Sequence, residues 1–231
     1  MNLSTYSVVI YSTNCYHFLV LQDGVLIENM HDIPYLKGKS LTPETTALMT
    51  RVATEVRNIL PKSVKCGVQV LAGGNLQALA VAQAAELDFL RAEGFVFGHV
   101  ADEGYIDACA GELLRYRKRL DAENILIFTD IKKKHSSHAI TEDISLVETA
   151  HAAEFFQSDG IILTGVATGS PADKNQLKVP VIMDPGWILT ILKITWRQML
   201  SLLDLTSKRK TNGRISYSQR KLLNSWQKLI N

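Results

Sequence analysis

The sequence predicts an α/β protein of parallel strands and crossover helices, most simply a (β/α) barrel. Three observations lead there. Between Asp23 and Met183, short apolar runs bounded by Gly, Asp or Pro alternate with longer segments whose apolar residues recur at helical spacing, the rhythm of repeated βα units. No GxGxxG or GxxxxGK[ST] phosphate loop follows any of these runs, which weakens the case for an open nucleotide-binding sheet. Polar and charged residues gather where the runs end, and the carboxyl ends of parallel strands carry the chemistry in barrels and open sheets alike.

The first run, Gly24 to Glu28, is of strand length and is followed by Thr42-Pro43-Glu44, an N-cap residue, a proline at N1 and an acid that suits the helix dipole. The helix that begins there is expected to turn Leu48, Val52, Val56 and Ile59 to one side. Cys66 to Leu71 reads as the second strand, and Asn75 is expected to cap a helix through Glu86 made largely of Ala, Leu and Gln. Asp88 to Ala92 is the third strand, followed by a helix over Tyr105 to Leu120. Ile125 to Asp130 is the fourth, followed by a helix over Ile144 to Gln157. Gly160 to Thr164 and Val179 to Met183 complete the series.

Composition narrows the function classes. The chain has 231 residues, 46% of them hydrophobic and 21% charged, with a formal net charge of +2. No apolar run approaches the roughly 20 residues of a membrane span, so no span is expected. The mean hydropathy of +0.04 and scattered Gly and Pro fit a folded globular chain. Cys15, Cys66 and Cys109 form no CxxC pair, which points to reduced thiols inside a cell rather than a disulfide framework or a zinc site. Met1 to Gln22 has neither the basic start of a secretory signal nor the arginines of a transit peptide, so a cytoplasmic and a mitochondrial address both stay open.

The candidate site residues sit at the strand ends. Glu28 and Asn29 close the first strand, Gln69 lies in the second, Arg91 and Glu93 close the third, and Asp130-Ile131-Lys132 closes the fourth, with Lys133, Lys134 and His135 beyond it. With period-two alternation, Arg91 and Glu93 share a side, as do Asp130 and Lys132, and charged pairs of this kind are costly in a merely structural core. Asp130 and Lys132 are therefore the expected catalytic pair. Glu28, Asn29, Gln69, Arg91, Glu93, His135, Thr164 and Gly165 are the expected substrate-binding residues. Lys133 and Lys134 are equally well read as a solvated loop, and Gln69 as a structural residue. The small loop Gly165 to Ser170 is either an anion-binding turn or an ordinary connector. His99, His138 and His151 read as loop or helix-surface histidines, and no HxH or HExxH spacing marks a metal site. The sequence names no cofactor.

Four stretches resemble the BtpA/SgcQ family: Asp23 to Asn29, Leu87 to Phe97, Phe128 to His138 and Asp159 to Gly165. The resemblance runs from about Asp23 to Met183. It implies a (β/α)8 TIM barrel of the ribulose-phosphate-binding type and a small ligand, of which phosphorylated sugars are the class suggested by bacterial relatives among sugar-utilisation genes. A cyanobacterial member is implicated in photosystem I accumulation, which implies the alternative of a non-catalytic assembly or stability factor. A weaker similarity is to the orotidine-decarboxylase and hexulose-phosphate barrels, whose Asp-x-Lys-x-x-Asp is matched by Asp130 and Lys132. His135 stands where the second acid belongs, a departure that counts against decarboxylation and leaves lysine-assisted proton transfer on a phosphosugar open.

Both ends depart from that family pattern, so three segments are expected: an atypical residues 1–22, a partial barrel over 23–183 and a basic segment over 184–231. From Lys193 onward nine basic residues face one acid, a net of +8 that leaves about −6 on the preceding chain. Read one nucleotide earlier, codons for Met183 to Leu192 can encode the family's Gly-Ser-Gly-Val turn, and those for Leu202 to Lys208 its eighth strand. The 48 residues from Asp184 to Asn231 are thus expected to be frameshifted sequence. The cluster Lys208-Arg209-Lys210 is too short to make nucleic acid an expected partner. An incomplete barrel exposes strand edges, so self-association into a homo-oligomer is expected.

Overall fold

A computed structural model describes residues 7–11, 24–133, 135–163 and 188–190. Thr164, Gly165, Lys134, the loop 165–170, the strand expected at 179–183 and nearly all of the basic segment lie outside the described residues. The elements are β1 (Ser7–Tyr11), β2 (Gly24–Glu28), α1 (Pro43–Ile59), β3 (Lys65–Gln69), α2 (Asn75–Ala84), β4 (Phe89–Ala92), β5 (His99–Ala101), β6 (Gly104–Ile106), α3 (Ala110–Arg119), β7 (Leu126–Asp130), β8 (Ser136–Ser137), α4 (Leu146–Phe155), β9 (Gly160–Leu163) and β10 (Ile188–Thr190). One sheet has the order β1-β2-β3-β4-β7-β9-β10. The ladders joining β2, β3, β4, β7, β9 and β10 are all parallel, and β1 pairs antiparallel with β2, Ser7 opposite Glu28.

All the helices with described packing lie on one face of this sheet. Val25, Ile27, Cys66, Val68, Leu90, Ala92 and Ile127 share a core with Met49, Val52, Ala53 and Val56 of α1, Ala78, Leu79 and Ala82 of α2 and Leu113 of α3. Ile161 and Leu163 pack with Ala150 and Ala153 of α4. The alternate strand positions Leu26, Phe89, Phe128 and Ile162 form a separate cluster with Leu126 that contains no helical residue. An open doubly wound sheet carries helices on both faces, so the one-sided arrangement is compatible with a TIM-like fold. Among the described residues no ladder joins β1 to β10.

The non-helical face depends on Gly67. A Cβ there would overlap the Phe89 ring, which crosses the position and lies 5.3 Å from the Phe128 ring at 47°. On the other face, α1 buries Met49, Val52, Ala53 and Val56, with Leu48 and Ile59 only half-buried. Its buried stripe is thus turned from the expected one toward Met49 and Ala53, with Val52 and Val56 common to both.

Two further expectations need correction. The helix expected over Tyr105 to Leu120 begins only at Ala110; Gly104–Ile106 forms β6, which pairs antiparallel with β5. Glycine at 104, with φ +101, makes the tight return between those strands. Asn75 is the first residue of α2 rather than its cap, Gly74 holding the cap position, and the Asn75 side chain is taken up by Glu93.

At the amino ends of the strands one device occurs twice. Asp88, ahead of β4, accepts the Cys66 amide at 2.8 Å and pairs with Arg57, which also donates to the carbonyls of Leu60, Pro61 and Val64 at the end of α1. Asp159, ahead of β9, accepts the Ile127 amide at 2.8 Å and Arg117 of α3 at 2.6 Å. Each aspartate ties a strand to its neighbour and to the end of a helix.

Gly67→Ala should destabilise the protein by about 1–3 kcal/mol through overpacking. Urea unfolding of the single variant and of Gly67→Ala with Phe89→Leu checks this: the second change should recover much of the loss, and equal stabilities for wild type and Gly67→Ala would contradict the packing.

Candidate functional site

The carboxyl ends of the parallel strands carry a polar layer directly above the Leu26–Phe89–Phe128–Ile162 cluster, on the same non-helical face. Period two puts it there: two residues after Leu26 and Phe89 come Glu28 and Arg91, and two after Phe128 comes Asp130. Arg91 Nε and Nη2 each donate to Asp130 at 2.9 Å, and Nη1 lies 3.3 Å from Glu28 Oε1. Asp130 has 1% of its side chain exposed and Arg91 11%.

Glu93 makes the second ion pair. Its Oε1 accepts Lys133 Nζ at 2.8 Å and its Oε2 the Gly73 amide at 2.7 Å, while Asn75 clamps its backbone from both sides. Asn29 ties β2 to β3 by accepting the Leu71 amide at 2.7 Å and donating to the Leu71 carbonyl at 3.2 Å. Gln69 is buried between these groups, and its Oε1 has no hydrogen-bond partner.

Lys132 and Asp130 line one pocket but are not bonded to each other. The strand ends at Asp130 and Lys132 takes φ +48, so the alternation that predicted the pairing stops before it reaches the lysine. Its ammonium donates instead to the Thr141 carbonyl at 2.7 Å. The neighbouring Lys133, equally well read as a solvated residue, is the lysine paired with a buried carboxylate. His135 is exposed, with φ +56.

Two loops frame a shallow pocket beside this layer, lined by Gly94, His99, Asp130, Lys132, Lys133 and His138 among others. They are sewn together by a three-stranded antiparallel sheet of order β6-β5-β8, which joins the segment after β4 to the segment after β7. His99, a strand residue only 4% exposed, has an unpartnered Nε2. The His99 and His138 rings lie 5.5 Å apart, and His138 Nε2 is 3.0 Å from the Lys133 carbonyl. His151 is exposed on α4, as expected. The sequence signal for His99 and Lys133 was slight, because a short strand inside a βα connection and the direction of a loop lysine leave no periodic trace.

Electrostatics divide the site. Glu28, Glu93 and Asp130 supply three buried carboxyl groups beside the Arg91 and Lys133 cations. Burial pushes the Asp130 carboxyl above the usual aspartate range, with Arg91 opposing it. Tyr35, whose hydroxyl donates to the Met30 carbonyl, has its phenol pushed up by burial and by Glu28 and other surrounding carboxylates. Burial first, then Lys133 and His138, pushes the His99 imidazole down to about 4. No group of three or more His, Cys, Asp or Glu among the described residues is placed to hold a metal ion.

A model of the BtpA family matches residues 21–190 of the chain. An uncharacterized mitochondrial protein of Caenorhabditis elegans is 52% identical over 174 residues, covering 71% of this chain and 62% of the worm protein. An uncharacterized protein of Archaeoglobus fulgidus is 37% identical over 172 residues, 71% of this chain and 66% of the archaeal one. The photosystem I biogenesis protein BtpA of Synechocystis is 32% identical over 157 residues, 68% of this chain and 53% of that protein. The chain thus spans less than two thirds of the length of each of these three relatives. No solved structure matches it.

Arg91→Met should cost about 3–5 kcal/mol of stability, because it leaves the buried Glu28 and Asp130 without their shared cation. Adding Asp130→Asn should return part of the loss in urea unfolding, and an Arg91→Met protein as stable as wild type would refute the account. His99 gives a pH dependence of known sign. Its unfolded pKa of 6.5 lies above the folded value of about 4, so the unfolded chain binds more protons between them and stability falls as pH drops through that window. Unfolding free energies at pH 7 and pH 4.5 should therefore differ less for His99→Gln than for wild type, while the opposite contribution of Asp130 is common to both.

Proposed function

The chain belongs to the BtpA family, and we propose that it acts as a barrel of the ribulose-phosphate-binding type that binds a small phosphorylated sugar or related metabolite. The ligand lies across the carboxyl ends of β2, β3, β4 and β7, and Asp130 gives or takes a proton there. The observation that carries this reading is the buried Glu28–Arg91–Asp130–Glu93–Lys133 layer at the strand ends, with Gln69 Oε1 beside it lacking a partner. A buried acceptor without a donor calls for a donor from outside, and a sugar hydroxyl supplies one.

In this proposal Glu28, Gln69 and Glu93 accept ligand hydroxyls, and Arg91 holds Asp130 in place while it exchanges its proton. A carboxyl raised by burial stands nearer neutrality than a free one and so suits general acid or base work. Lys132 lines the same pocket, and to assist Asp130 its ammonium leaves the Thr141 carbonyl. Asn29 positions β2 against β3, and His135, Thr164 and Gly165 belong to the loops around the mouth. A homo-oligomer is proposed from the sheet that no ladder among the described residues closes. No helix among the described residues is long and apolar enough to cross a membrane. The name of the worm relative places that protein in mitochondria; a mitochondrial address is proposed for this chain too, and organelle fractionation is its test.

Thermal-shift titration with pentose and hexose monophosphates tests the proposed function. A saturating ligand at about 100 times its Kd stabilises by about 2.7 kcal/mol, and Asp130→Asn should reduce that shift to a small fraction. If no sugar phosphate stabilises the wild-type chain, while a protein partner binds wild type and Asp130→Asn alike, the assembly-factor reading replaces this one.

A further inference from the structure

The loop pocket beside the carboxylate layer differs from that layer in charge. Lys132, Lys133, His99 and His138 line it, and Asp130 is the one acid among its lining residues. It opens between the segment that follows β4 and the segment that follows β7. Gly94 is essential to the first segment: its φ is +61, and a Cβ there would come within 2.8 Å of Ile106 and 2.9 Å of the Asp107 carbonyl oxygen.

Within this pocket His99 is 4% exposed and its Nε2 has no partner. A buried ring nitrogen costs stability unless something bonds to it. Neighbouring side chains cannot easily supply that bond, because Lys133 is engaged by Glu93, Lys132 by the Thr141 carbonyl and His138 by the Lys133 carbonyl.

We propose that this pocket is an oxyanion site, in which His99 Nε2–H donates to one oxygen of a phosphoryl-type dianion and the Lys132 and Lys133 ammoniums neutralise its charge. It deepens the reading above by giving the proposed ligand its anionic end, with the hydroxyl-bearing part lying over Glu28, Gln69 and Asp130. The position differs from the expectation that the loop 165–170 holds the anion, since it uses the connections after β4 and β7.

Binding couples to a proton. The groups facing His99 are Lys133 and His138, which repel a proton from it, and Glu93, which attracts one; Asp130 and Lys132 share the pocket. A dianion against Nε2 reverses the balance and favours the imidazolium, so His99 takes up a proton from solvent when the anion binds. By linkage the affinity strengthens on acidification, approaching tenfold per pH unit between the free and bound pKa values of His99.

Inorganic sulfate is the probe, because its charge is constant from pH 5 to pH 7.5. Calorimetric titration of the full chain should show saturable sulfate binding that tightens several-fold from pH 7.5 to pH 5.5. NMR titration of the His99 ring protons should show its pKa raised by sulfate. His99→Gln keeps a neutral donor and should bind sulfate with little pH dependence. No saturable binding, a His99 pKa unmoved by sulfate, or a His99→Gln protein with the wild-type pH slope would each overturn the proposal. A chain that binds sulfate in this way and answers no sugar phosphate therefore sinks only the sugar reading.

Discussion

The Arg91 guanidinium is the constraint on which the mouth of this sheet is arranged. It reaches Asp130 on β7, the adjacent strand, and Glu28 on β2, two strands away on the other side. Across the intervening β3, β2 and β4 lie about 9–10 Å apart, a span that the long Arg91 and Glu28 side chains together cover on the non-helical face. The pairing in turn makes burial of three charges tolerable, since each alone would carry a desolvation cost of several kcal/mol. Phe89 and Phe128 fill the space beneath, and Gly67 leaves room for the first of those rings. Charge pairing above and aromatic packing below thus occupy one face, while aliphatic helix contacts occupy the other.

Arginine–aspartate pairs occur at both ends of the strands, and they do different things. At the amino ends, Asp88 and Asp159 accept backbone amides as well as arginines, and Arg57 spends its remaining donors on carbonyls at the end of α1. Such contacts hold strands to helices, although Arg57 Nε is left without a partner. At the carboxyl ends, among the described residues, Gln69 Oε1 lacks a donor and His99 Nε2 lacks a partner. That is the end where parallel α/β folds place ligands.

The mouth is also polarised. Glu28, Glu93 and Asp130 make the strand ends acidic, whereas Lys132 and Lys133 are the cations lining the loop pocket, beside His99 and His138. The two regions meet at Lys133, whose chain lies in the loop and whose ammonium pairs with Glu93. The small sheet of β6, β5 and β8 keeps the two loops in register, so His99 from one and His138 from the other hold their 5.5 Å separation through backbone hydrogen bonds.

Periodicity made much of this legible in the chain. Alternating apolar runs placed β2, β3, β4, β7 and β9 within a residue or two, and parity alone put Glu28, Arg91 and Asp130 on one face, because side-chain direction in a strand is a local property. Where the strand stopped, that logic stopped: Lys132, at φ +48, turned to Thr141, and Lys133 took the place beside a buried acid. Asn75 likewise offered a helix cap by its type and served Glu93 instead, since a contact across 18 residues of sequence leaves no local signature. β6 appeared where a helix was expected because its pairing with β5, and that of β5 with β8, satisfies backbone groups only once both loops are in place. Which residues face the same way was written in the sequence; which of them meet was decided by the order of the strands in the sheet and the folding of its loops, where hydrogen bonds and ion pairs act between segments far apart in the chain.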